Sequence, residues 1–247
     1  MRIAALADIH GNLLALEAVL ADLNSHAPDL VVNLGDHLSG PLEAAATADL
    51  LLAQRDWVQI RGNHDRQLIE QEPDAMGSSD RSAHQQLTGG HKEWLRSLPP
   101  AAIVADDILL CHGTPERDVD YLLEDVSATG VRLASCAQIR SRAGVKAGAI
   151  LCGHSHVPRF VRLEDGTVVL NPGSVGLQAY YDSDHRYPHA IEIGSPHARY
   201  ALLDRVEHGW RATFRAVDYD WEAAARLATA GKRADWAHAL LTGYALK

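Results

Sequence analysis

The chain has only three cysteines, Cys111, Cys136 and Cys152, and no C-x-x-C pair. A disulfide framework is therefore not expected, and because Cys111 and Cys152 close apolar runs they read as reduced, buried thiols. Positive charge is also scarce: 23 Lys and Arg stand against 32 Asp and Glu, the formal net charge is −9, and no basic block occurs. A surface that grips long nucleic acid by neutralising phosphates is excluded on that balance, and small partners fit better. No apolar run approaches membrane-spanning length, and the stretch before Asp8 is too short for the apolar region of a signal peptide. The expectation is a cytoplasmic protein with no membrane partner. Repeats and low-complexity tracts are absent as well.

The 247 residues suit one α/β domain spanning 1–247. A chain of that size buries roughly 70–75% of its unfolded surface, so a metal would serve function rather than hold the fold together.

Six strand-like apolar runs each end in a cluster of polar residues. They are Ile3–Ala7 into Asp8-Ile9-His10, Leu30–Leu34 into Gly35-Asp36, Trp57–Arg61 into Gly62-Asn63-His64-Asp65, Ile108–Cys111 into His112-Gly113, Ala149–Cys152 into Gly153-His154-Ser155-His156, and Thr167–Leu170 into Asn171-Pro172-Gly173-Ser174. In open α/β sheets ligands bind outside the carboxyl ends of strands, so these endings can converge.

Helical periodicity between the first runs, with Leu13, Leu16, Val19, Leu20 and Leu23 on one face, predicts helices at Leu13–Asn24 and Pro41–Gln54 and hence βαβ units. Residues 66–100 read as a helical insertion broken by a turn-rich stretch from Pro73 to Ser79. A further helix is predicted near Val126–Ala143. Beyond it the chain becomes strand-rich, with a hairpin around Glu164-Asp165-Gly166, strands at Ala190–Ile193, Arg199–Asp204 and Trp210–Val217, and C-terminal helices from about 220 to 247.

Five of the six endings supply oxygen or nitrogen ligands. In an extended segment residues i and i+2 face one way, so Asp8 and His10 can share an ion, as can His154 and His156. Asp36, Asn63 and His112 follow apolar runs in the same manner. Two neighbouring dications with a shared carboxylate activate a bridging water, and together with two aspartates they leave a positive centre that draws in phosphate. The mixed set suits Mn²⁺, Fe²⁺, Co²⁺, Ni²⁺ or Zn²⁺, with Mn²⁺ foremost.

The ordered elements D-x-H, G-D, G-N-H-[DE], H and G-H-x-H resemble those of the calcineurin-like metallophosphoesterases, from Asp8 to about Ser174. The resemblance implies a four-layer αββα sandwich of two mixed β-sheets flanked by helices. It also implies a binuclear-metal phosphoesterase acting on small phosphomonoesters or phosphodiesters, nucleotides among them, through a metal-bridging hydroxide. Asp8, His10, Asp36 and His156 would hold one metal, Asp36, Asn63, His112 and His154 the other, and His64 would face the leaving oxygen as the catalytic acid or hydrogen-bond donor. The alternatives are a non-catalytic scaffold of the same fold, a nuclease or a protein phosphatase.

The protein serine/threonine phosphatases of that superfamily extend the second element to G-D-x-x-D-R-G, where this chain has Ser39 and Gly40. Phosphoprotein substrates are accordingly disfavoured, and N-P-G-S after G-H-x-H resembles the small bacterial and archaeal phosphodiesterase and phosphatase branch. Arg61 and Arg66 flank the Gly62–Asp65 turn and are candidates to bind substrate phosphate bidentately. The segment holding Tyr180, Tyr181, His185, Arg186, Tyr187 and His189 reads as a loop that could wall a substrate site.

Overall fold

The computed structural model describes residues 1–183 and 185–246. Its first half begins with the expected alternation: β1 (Arg2–Leu6), α1 (Leu13–Asn24), β2 (Leu30–Asn33), α2 (Ala44–Leu52) and β3 (Val58–Gln59). β1 and β2 run parallel with Ile3 opposite Leu30, and β3 continues the parallel order. Asn12 caps α1 by accepting from Ala15 N, and the leucine face lies against the sheet. Two boundaries differ from expectation. α2 starts at Ala44 rather than Pro41 because Glu43 N donates to Gly11 O, so the segment before it closes the turn after β1. β3 stops at Gln59 because Arg61 N bonds Pro99 O instead of a neighbouring strand.

The segment expected as a helical insertion folds as α3 (Asn63–Glu70), a 3₁₀ turn at Pro73–Ala75, α4 (Ser78–His84) and α5 (Gly89–Ser97). The chain then lays down β4 (Ala101–Val104) and β5 (Ile108–Cys111), of which β4 was not predicted. The helix predicted near Val126–Ala143 is a correction: its first part is a hairpin, β6 (Glu124–Ser127) and β7 (Gly130–Leu133), and only α6 (Cys136–Ala143) is helical. Gly130, at φ 113°, allows the turn that an L side chain resists, and Val126 pairs across it with Val131. A Ser135–Gln138 capping box then starts α6.

β8 (Ala149–Leu151), β9 (Arg159–Arg162) and β10 (Val168–Asn171) follow. In a further hairpin, β12 (His189–Glu192) matches the strand expected at Ala190–Ile193, while β11 (Ala179–Asp182) falls where a loop was expected. The chain ends in β13 (Ala198–Val206), β14 (Gly209–Val217), α7 (Trp221–Ala230) and α8 (Ala234–Thr242).

Two five-stranded mixed sheets result, in the orders β14-β13-β1-β2-β3 and β4-β5-β8-β10-β9. Ile3, Ala5, Val32 and Leu34 from one sheet meet Ile108, Leu110, Leu151 and Leu170 from the other in a continuous apolar layer. Each such leucine or isoleucine contributes about 1.5–3 kcal/mol by leaving water. Helices α1, α2, α3 and α5 cover the outer face of the first sheet and α6 that of the second, which completes the four-layer sandwich. α7 and α8 pack on each other and on Leu177 and Ala179. Among the described residues no helix is long and apolar enough to cross a membrane.

Candidate metal centre

Sheet packing brings the carboxyl ends of β1, β2, β5 and β8 to one edge, where the chain turns sharply. Asp8, His10, Asp36, His154 and His156 all have positive φ, from 54° to 69°. Such backbone costs of order 1–3 kcal/mol per non-glycine residue and persists only where the surroundings enforce it. The enforcing bonds are on hand. Asp8 N donates to Gly35 O, His10 N to Asp36 O, and Gly153 N to His112 O. Asn171 Nδ2 donates to Gly153 O, and Ser174 Oγ to Asp8 O, so the N-P-G-S segment fastens the first and last turns together. Asp65 binds the middle ones through the backbone N–H groups of Asp36, His37 and Gly62 and through His37 Nδ1. A side chain on Gly62 would run into Asp36 Oδ1, which explains glycine there.

The side chains gather in two groups, Asp8 with His10 and His156, and Asp36 with His112 and His154; within each group the candidate ligand atoms lie within 4.8 Å of one another. His154 and His156 therefore separate, as the family resemblance implied, although the i, i+2 spacing alone would have let them share an ion. The spacing argument assumed extended backbone, and the left-handed turns at both residues break that alternation. His112 Nε2 lies 3.1 Å from Asn63 Oδ1 and 3.2 Å from Asp36 Oδ2. Asp8 Oδ1 stands between the groups, 3.6 Å from His156 Nε2 and 4.0 Å from His112 Nε2.

The histidines are oriented from behind. Nδ1 of His10, His112 and His156 each lies 2.8 Å from a backbone carbonyl, of Ser39, Leu34 and Leu177 respectively. Since a carbonyl only accepts, each Nδ1 carries the proton and each Nε2 of a neutral ring presents a lone pair. His10 Nε2 and His156 Nε2 then face each other across 3.1 Å. Burial pushes His10 down to about 4 and His156 well below the usual imidazole range, so neither ring holds a second proton at neutral pH. Two opposed lone pairs repel, and a cation between them removes the repulsion. The donor set thus fits divalent metals.

Burial pushes Asp8 up to about 8 against the pull of His112. For His112 burial acts downward, but the carboxylates of Asp36 and Asp8 raise it to about 10. Protons and cations compete for these atoms. Burial raises the Cys111 thiol to about 12 and holds Cys152 well above its usual range, so both pack as thiols behind the site.

The two groups open into a cavity of about 1060 Å³. His64 lines it, with Nδ1 2.8 Å from Asp80 Oδ1 of α4. Burial lowers the His64 ring, and the carboxylates of Asp36 and Asp80 outweigh this to raise it to about 9. Tyr180, Tyr181 and His185 form one wall, as the loop reading allowed, with Tyr180 and Tyr121 joined through their hydroxyls at 2.7 Å. Arg233 and Trp236, ahead of and within α8, form another. Trp236 lies edge-on to His10 and covers Gly40, where an added side chain would strike its ring.

The two sequence-predicted arginines do not join the cavity's lining. Arg66 forks onto Asp118 at 2.7 and 2.9 Å beside a smaller cavity, and Arg61 lies outside the large one. Asp80, Tyr121, Arg233 and Trp236 escaped sequence reasoning. They belong to no spaced motif, and a lone Asp in Ser-Ser-Asp-Arg gives no signal that it faces a histidine 16 residues away.

The site's chemistry agrees with what related proteins indicate. The family model for the calcineurin-like phosphoesterase superfamily domain matches residues 1–187. The chain belongs to that family, and the family's metal dependence agrees with the two Asp/His groups. An uncharacterised protein of Methanocaldococcus jannaschii is 25% identical over 253 residues, covering 95% of this chain and 94% of the relative. The crystal structure of a metallophosphoesterase from Sphaerobacter thermophilus superposes with a TM-score of 0.76 at 23% identity, over 97% of this chain and 98% of that one. A hypothetical protein from Pyrococcus horikoshii gives 0.73 at 19% identity, over 98% of each chain. These two likenesses concern the fold.

Proposed function

We propose that the chain is a two-metal phosphoesterase that hydrolyses small phosphomonoesters or phosphodiesters, nucleotides included. The observation that carries this is the pair of opposed ring nitrogens of His10 and His156 at 3.1 Å, each ring with its Nδ1 on a backbone carbonyl, next to a second cluster around His112. Asp8, His10 and His156 would hold one ion and Asn63, His112 and His154 the other, with Asp36 shared. Bound there, the ions would supply an activated water and a positive field for the phosphoryl oxygens.

The chain's own groups do the remainder. The carbonyls of Ser39, Leu34 and Leu177 keep three imidazoles in the ligating tautomer. His64, a third of whose side chain is open, lines the same cavity and would give a proton to the leaving oxygen. The cavity's size admits a nucleotide-sized substrate, and the acidic overall balance argues against long nucleic acid.

The test is direct. Purified protein is assayed for bound metals and for turnover of phosphomonoesters, diesters and nucleotides, with Asp36→Asn as control. Metal-dependent hydrolysis that Asp36→Asn abolishes is expected. Full metal occupancy with no turnover of any phosphoester would favour a binding scaffold instead.

A further inference from the structure

His64 does not find its partner in the turn after Asp36. Ser39 stands where a G-D-x-x-D-R-G turn has its second aspartate; it is fully buried, its hydroxyl has no hydrogen-bond partner, and its carbonyl is taken by His10 Nδ1. Asp65 follows His64 directly in sequence, yet both its oxygens are already occupied by three backbone N–H groups and the His37 ring. The carboxylate that does reach His64 comes from α4. Asp80 Oδ1 lies 2.8 Å from His64 Nδ1, and Asp80 is only 3% exposed. A buried carboxylate is costly without a donor, so this contact is a strong one.

The start of α4 is itself braced from the far end of the chain. Arg233 donates Nη1 to Ser79 Oγ at 2.9 Å and lies over the Trp236 ring, its Cζ 5.6 Å from the centroid. Trp236 in turn packs 6.0 Å from His10. Asp80 is thus held against His64 by contacts that also reach the metal cluster.

We propose, on the phosphoesterase reading above, that Asp80 is the positioning residue of His64. It accepts the Nδ1 proton and fixes the ring so that Nε2 faces the cavity. As a water oxygen bonds to phosphorus and the bond from phosphorus to the leaving oxygen breaks, the Nε2 proton passes to that leaving oxygen and the Nδ1 proton stays on the Asp80 bond. The carboxylate thus comes from α4, since Ser39 in the turn after Asp36 offers none. The competing possibility is a strut: the same contact could merely pin α4 to the floor, and the experiment must separate the two.

The metal-loaded protein, Asp80→Asn, Asp80→Glu, His64→Ala and the His64→Ala/Asp80→Asn double variant are compared for metal content, kcat, KM and dependence on leaving-group pKa. Asp80→Asn should keep its metals and lose kcat by about 10–100-fold, the usual effect of removing an orienting partner. KM should move far less, the loss should shrink for good leaving groups, and Asp80→Glu should recover part of it. In the His64→Ala background the second substitution should cost no more than about twofold, because the pair acts as a unit. An equal loss in both backgrounds would identify a strut and overturn the proposal, as would unchanged kcat in Asp80→Asn. If Asp80→Asn does not fold, ¹⁵N NMR of wild-type His64, zinc-loaded, decides: a hydrogen-bonded proton on Nδ1 supports the proposal and a proton confined to Nε2 refutes it. That spectrum also stands apart from turnover, so a wild type inactive on every phosphoester would sink the phosphoesterase reading without deciding the Asp80 bond.

Discussion

The floor of the cavity and its walls are built by different means. The floor consists of strand endings from two sheets, held in left-handed turns by backbone hydrogen bonds and almost wholly buried. The walls come from α3 and α4, the β11–β12 hairpin and the C-terminal helices, and include half-open side chains such as Tyr181. Each ligand position in the floor constrains its neighbours, whereas the wall residues sit on separate hairpins and helices. The lesson is that chemistry should be intolerant of change in the floor, and substrate choice adjustable in the walls.

The sharpest attempt to break that contrast is Asp36→Asn. It should lower metal content and turnover together, since one carboxylate is assigned to both ions; normal activity, measured beside metal analysis, would remove the shared-ligand assignment. His64→Ala comes next. It should leave the metals in place and lower turnover about 10²–10⁴-fold, less for very good leaving groups. Equal losses across leaving-group pKa would take away the acid role.

A wall substitution, Tyr181→Ala, removes a cavity-lining ring that is 42% exposed. A shift in KM of no more than about tenfold is expected, with metal content unchanged and the size depending on the leaving group. Loss of metal in this variant would show that wall and floor are not separable. The smallest effect is expected for Arg66→Ala. Its fork onto Asp118 is about a third open to solvent, so denaturant unfolding should fall by no more than about 1 kcal/mol with KM unchanged. A rise in KM would restore Arg66 as a phosphate ligand.

The floor was legible because each ligand sits at a fixed offset from an apolar run, as Asp8 does after Ile3–Ala7 and His112 after Ile108–Cys111. The sandwich was legible through the family resemblance that these elements carry. The partition of the ligands was legible through the same resemblance but not through i, i+2 spacing. His154 and His156 separate because each takes a positive φ, which a histidine does not announce. The hairpin at β6 and β7 was missed because residues 126–143 contain helix formers, and Gly130 decided the turn.

By itself the sequence determined which residues end the strands and therefore which side chains can meet a metal, since burial of apolar runs fixes where strands stop and turns begin. Tertiary structure alone decided what surrounds them. Asp80 beside His64, Trp236 over Gly40 and Arg233 against Ser79 join segments far apart in the chain. Such contacts depend on how finished helices dock, and docking leaves no periodic trace in the order of residues.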